Sequence, residues 1–203
     1  MRRIKTTFAA ILLAASLTAC ASTKPQQQAK TGQSPVDSAR QAQKDFEQST
    51  MVQAVSEHLG VTSEAAASVI ERLFREQGRP TAYITGQEIS AAMVGGVFYG
   101  KGTLWMKDGR QMPIFWQGPT VGFDAGADGS KVFTLVYGLE DPNYIYQRFL
   151  KAEGSAYLVA GMGVNFQRAN GITLAPVRSG VGARLGANVG WSSYTRKRSF
   201  IPL

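Results

Sequence analysis

The sequence predicts a mainly β domain, an antiparallel barrel or sandwich of short strands, preceded by a helical segment. Three observations predict it. From Thr81 onward, β-branched and aromatic residues alternate with polar ones and glycine becomes frequent. Turn pairs recur at Asp108-Gly109, Asp128-Gly129 and Asn170-Gly171, and such pairs accept the positive φ angles of tight hairpin turns. Before Thr81, apolar residues recur instead at helical intervals.

Residues 1–19 read as a lipoprotein signal peptide. A basic start (Arg2, Arg3, Lys5) precedes an apolar stretch from Phe8 to Leu17, too short for a span of roughly 20 apolar residues. Leu17-Thr18-Ala19-Cys20 then has the form of a bacterial lipobox, so the mature chain is expected to begin at a lipidated Cys20. Ala21 in place of Asp favours outer-membrane sorting. Residues 20–35 are polar, Gln-rich and hold two prolines, a composition that cannot bury enough apolar surface to fold. They are expected to be a flexible tether.

Residues 36–80 are expected to be helical and to pack on the barrel. Val36, Ala39, Phe46, Val52, Val55 and Leu59 form a thin stripe, broken near Ser49-Thr50 and ended by Gly60. A clearer helix follows. Thr62 or Ser63 caps it, Glu64 suits its first turn, and Ala66, Val69, Ile70, Leu73 and Phe74 form one apolar face before Gly78 and Pro80. Residues 81–203 then form the β domain. Strands are expected at 103–107, 112–116, 132–137, 155–160, 164–168 and 172–177, with a Gly-alternating strand over 181–191. Most fall short of the roughly 9–11 residues a membrane-spanning strand needs.

Composition excludes several kinds of chemistry. Cys20 is the only cysteine, so the chain has no internal disulfide, and His58 is the only histidine. A metal site built from several His or Cys side chains is therefore excluded. There is no G-x-S-x-G elbow and no phosphate loop, and Gly180-Val181-Gly182 lacks dinucleotide-fingerprint spacing. Cleavage before Cys20 removes three Lys/Arg and no Asp/Glu, taking the formal net charge from +8 to +5. That charge favours anionic envelope partners, and the compartment argues against nucleic acid.

The candidate chemistry is therefore a binding surface. If Leu104 and Met106 point into the core, Trp105 points the other way, exposed or lining a groove. Trp116, Phe123 and Tyr137 are further aromatic candidates, suited to sugar rings, peptides or acyl chains. Arg178 and Arg184 offer guanidinium groups to phosphate or carboxylate. Asp124, among small residues, is either a partly buried carboxyl of raised pKa or a local turn cap. The rival reading is a hydrolase of envelope polymers pairing Asp124 or Glu140 with a second carboxylate. A third is a scaffold whose Gly-faced strand, Gly182 to Gly190, docks a partner protein.

Several segments in order resemble the envelope integrity protein A family. They are Tyr83-Ile84-Thr85-Gly86-Gln87-Glu88, Tyr99-Gly100-Lys101-Gly102-Thr103-Leu104, Phe115 to Asp124, Val136-Tyr137-Gly138-Leu139, Gly154-Ser155-Ala156-Tyr157 and Ala175 to Gly190. A weaker similarity, in Thr120-Val121-Gly122-Phe123 and Gly180 to Gly190, is to the lipid-binding SYLF domain. The first resemblance implies a small periplasmic β-barrel with an SH3-like core, a link to envelope integrity, and no established enzymatic activity. It supplies no catalytic residues and implies no cofactor. Its members usually carry an ordinary cleaved signal, so the lipobox is a departure. The expected partners are the membrane, through the anchor, and an envelope lipid, lipopolysaccharide or peptidoglycan, bound by a monomer.

Overall fold

Eight antiparallel strands close into a ring in the computed structural model, which describes residues 46–92, 95–121, 124–152, 156–180 and 190–199. Two helices, α1 (Gln48–Leu59) and α2 (Ser63–Gln77), precede strands β1 (Ala82–Ala92), β2 (Gly95–Met106), β3 (Gln111–Val121) and β4 (Asp124–Tyr137). A 3-10 turn (Pro142–Ile145) leads to β5 (Arg148–Lys151), β6 (Tyr157–Val159), β7 (Met162–Val164), β8 (Gln167–Ala169), β9 (Ile172–Ser179) and β10 (Trp191–Thr195). The ring runs β4-β1-β2-β3-β10-β5-β8-β9 and returns to β4, so none of these eight is a terminal strand. The β6–β7 hairpin branches from β9, whose residues 172–174 pair with β8 and 177–179 with β7. Helices and barrel belong to one compact unit. The expected small antiparallel barrel with N-terminal helices is therefore present.

The helices follow their sequence signals. Met51, Val55 and Leu59 are the buried face of α1, and Gly60 ends it at φ +69°. The expected break at Ser49-Thr50 is instead the first turn of α1. Thr62 caps α2, its hydroxyl accepting from the Ala65 amide at 3.2 Å. Ala66, Val69, Ile70 and Leu73 are buried. Glu64 is held below the usual carboxylate range by bonds to the first-turn backbone and Thr62.

Two cores share one sheet. Phe98, Leu104, Ile114, Trp116, Val136, Phe149, Leu174 and Tyr194 fill the barrel interior. A second cluster joins the helices to the outer face of β4, β7 and β9 through Phe133, Leu135, Tyr137, Val164, Ala175 and Val177. This is why residues 132–137 are buried without alternation: even positions face inward and odd positions face the helices.

Three expectations need correction. β1 and β5 were not anticipated, and β1–β4 run to 11–14 residues. Those lengths would reach across a bilayer. The outward positions of β2, β5 and β8 nevertheless carry Lys101, Arg148 and Arg168, where a lipid-facing band would be apolar. Asp128-Gly129 is not a hairpin turn. It lies within β4, at a register shift that sets Glu88/Ser90 opposite Ser130/Gly126, so the extra residues form a bulge. Asn170-Gly171 does form the expected two-residue turn, with φ +46° and +79° between Ala169 and Ile172. Of the 181–191 strand only Gly190 and Trp191 are described, and Trp191 opens β10. Cys20, the signal, the tether and residues 36–45 lie outside the described residues.

Candidate functional site

Alternation along β1, β2, β3 and β10 decides which side chains enter the barrel. Glu88, Trp116 and Tyr194 point inward, and Arg178 reaches them from β9. The Glu88 carboxylate accepts from Arg178 Nε at 2.8 Å, from Arg178 Nη2 at 2.8 Å and from the Trp116 indole N–H at 2.6 Å. Arg178 Nη1 donates to Asn165 Oδ1 at 3.3 Å. Burial disfavours the Arg178 charge, but the Glu88 charge and hydrogen bonds outweigh it and hold the guanidinium above its usual range. Burial, then the Glu88 charge, pushes the Tyr194 phenol up. Trp116 stacks on Tyr194 at 5.9 Å. The guanidinium of Arg178 thus does take a carboxylate, but an internal one.

The other predicted residues are scattered. Leu104 and Met106 are core, and Trp105 points outward as alternation requires. It is half-buried rather than open: its N–H donates to Thr85 Oγ1 at 2.9 Å, and its ring stacks on Tyr83 at 5.7 Å, which stacks in turn on Phe133. Phe46 leans on the same Tyr83 ring. Tyr137 is buried beneath the helices. Asp124 opens β4, but its side chain lies outside the described set, as do Phe123 and Arg184. Glu140 is exposed, while its neighbour Asp141 caps the 3-10 turn by accepting from the Asn143 amide at 2.8 Å. No group of three His, Cys, Asp or Glu able to hold a metal occurs among the described residues. His58 Nε2 lies 3.0 Å from both the Gly86 and Val132 carbonyl oxygens and 3.2 Å from the Gly86 amide nitrogen, pinning α1 to β1 and β4.

Between α2 and β6, the Arg72 guanidinium lies 3.7 Å above the Tyr157 ring. Burial, and then the nearby Glu76 charge, pushes the Tyr157 phenol up to about 12, and burial raises Tyr137 as well. Both phenols are neutral when protonated. The fold therefore keeps protons that the unfolded chain releases near pH 10, so stability is full below that and falls as pH climbs from 10 to about 12. Alkaline unfolding followed by circular dichroism should begin in that window, and Tyr157→Phe should make it shallower.

The outward side chains of the strands, ranked round the barrel from β8 to β4, were missed as a unit. Strand register ranks its side chains. Arg168, Leu150 and Trp191 align across β8, β5 and β10. Arg148, Ser193, Gln117, Tyr99 and Ile89 form the next rank. Thr195, Phe115, Lys101, Gln87 and Lys131 form the third. The described residues of these ranks include four cations and no carboxylate. Arg148 lies 4.3 Å over the Trp191 ring, Arg196 lies 4.6 Å over Tyr146, and Leu150 is 61% exposed between Arg168 and Trp191. A cleft of about 280 Å³ opens in the second and third ranks. The available signal was Gly100 and Gly102: both face inward, so Lys101 between them must face out.

Three comparisons bear on this arrangement. The family model of envelope integrity protein A matches residues 44–203. The chain is similar to a β-barrel-like, uncharacterized protein from Brucella abortus known from a crystal structure. The two share 40% sequence identity with a TM-score of 0.72, over 78% of this chain and 98% of that one. No curated protein matches the chain.

Proposed function

Because the chain belongs to the envelope integrity protein A family, we propose that it is a non-enzymatic docking module of the cell envelope. In this reading it is held at the outer membrane by lipid on Cys20, and its barrel wall rests on anionic envelope material. The observation that carries the proposal is the set of three outward ranks, with four cations, interleaved aromatics and no carboxylate among the described residues. Cations of one sign attract phosphate- or carboxylate-bearing surfaces, and the exposed Leu150 and half-buried Trp191 add apolar contact at the interface. Buried Glu88 is committed to Arg178 and Trp116, so it serves packing rather than proton transfer.

The anchor and the docking wall separate experimentally. Lipid makes attachment firm when more than one chain is present, so the native protein should resist a high-salt wash of the membrane fraction, and Cys20→Ser should be released by it. Release of neither form rules out the anchor. The mature Cys20→Ser chain should sediment with phosphatidylglycerol-containing vesicles and not with neutral ones, less so at high salt. At about 1 kcal/mol per cation near such a surface, Arg148→Gln with Arg168→Gln should weaken this about thirtyfold. Equal binding to neutral and anionic vesicles counts against the docking wall.

A further inference from the structure

The cleft in the docking wall has a composition more specific than charge alone requires. Resting on the docking reading, we infer that it takes a single phosphorylated sugar, the headgroup of an anionic envelope glycan or glycolipid. Four features converge on that class. The volume, about 280 Å³, lies at the small end of ligand pockets and suits one ring better than a long acyl chain. The walls are Ile89, Tyr99 and Phe115, two of them aromatic rings able to cover the C–H face of a sugar. Gln87 adds an amide suited to hydroxyl groups. Lys101 stands among these, with no carboxylate among the described lining residues, a setting that favours phosphate.

Register explains why these groups meet. Phe115, Lys101 and Gln87 are direct cross-strand neighbours on β3, β2 and β1, and Tyr99 and Ile89 are the adjacent pair one rank away. The ring-binding face and the cation are thus fixed on three long paired strands rather than on loops. The floor is the Gly100 backbone over the Trp116 indole, so the depth of the cleft depends on a residue without a side chain.

The test is an NMR or calorimetric titration of the mature Cys20→Ser chain with glucose 1-phosphate, glucose and inorganic phosphate. Glucose 1-phosphate should bind at least tenfold more tightly than either half. Lys101→Gln should abolish the preference for the phosphorylated sugar over glucose. Phe115→Ala should weaken glucose 1-phosphate about tenfold while leaving inorganic phosphate unchanged. Both positions face outward, and an unaltered melting temperature confirms that each variant is folded; Lys101→Gln alone suffices if Phe115→Ala is not. Equal binding of inorganic phosphate and glucose 1-phosphate overturns the inference, as does absence of binding or indifference to both substitutions. If that happens while anionic-vesicle binding persists, the docking wall stands and only its cleft has been misassigned.

Discussion

Glu88→Ala is expected to destabilise the protein by about 3–5 kcal/mol, a third or more of the stability of an ordinary domain. The carboxylate is 5% exposed and takes three hydrogen bonds, two from Arg178 and one from Trp116. Its removal leaves a guanidinium in the barrel wall with one weak partner, Asn165 Oδ1 at 3.3 Å. It also orphans the Trp116 N–H, worth about 1–3 kcal/mol by itself when buried. Little of this loss measures net attraction between the charges. Most is the cost of an uncompensated buried cation, so removing both partners should cost less than removing one. Glu88→Leu with Arg178→Met should recover most of the stability in urea unfolding followed by tryptophan fluorescence. A Glu88→Ala loss below about 1 kcal/mol, or a double variant no better than the single one, would show that the pair is solvated rather than sealed in.

That network marks where the sequence could be read and where it could not. The helical faces of α1 and α2 were legible because amphipathic periodicity needs no partner to be recognised. The Asn170-Gly171 turn was legible because its backbone angles demand those residue types. Asp128-Gly129 has the same local chemistry, yet the pairing of β1 with β4 absorbs it as a bulge, since register over eleven residues outweighs one turn pair. β5 was hidden because four residues, RFLK, give too little alternation to detect. Arg178 and Trp116, expected as candidate ligand-binding residues, are both buried. Only Glu88, 90 positions before Arg178, turns a binding arginine into an internal one, and that proximity is created by ring closure through β4 and β9. The docking wall was illegible for the same reason. Lys101, Arg148 and Arg168 are far apart in the chain and are brought into aligned outward ranks by strand register.

Gly100→Ala should be nearly as damaging as loss of Glu88, for a purely steric reason. A methyl at position 100 would stand 2.0 Å from Trp116 Cε2 and 2.3 Å from its Nε1, closer than atoms can approach. The indole is 3% exposed, stacked on Tyr194 and tied to Glu88, so it cannot yield without breaking the network. Overpacking costs typically about 1–3 kcal/mol, and the lost bond to Glu88 adds about 1–3 more, for a total of roughly 2–6 kcal/mol. Gly109 is the control. Its φ of +86° strains any replacement, but nothing lies within 4 Å of an added methyl, so Gly109→Ala should cost only about 1–2 kcal/mol. If space rather than backbone angle is decisive, Gly100→Ala should be partly rescued by shrinking the ring with Trp116→Leu, whereas Gly109→Ala should not respond. Absence of rescue would mean that the 100–116 contact is not what glycine protects. Gly100 and Trp116 also form the floor of the outer-wall cleft. A Gly100→Ala chain that still folds at low temperature should therefore lose glucose 1-phosphate binding while keeping its affinity for anionic vesicles, because the cations of the wall are untouched.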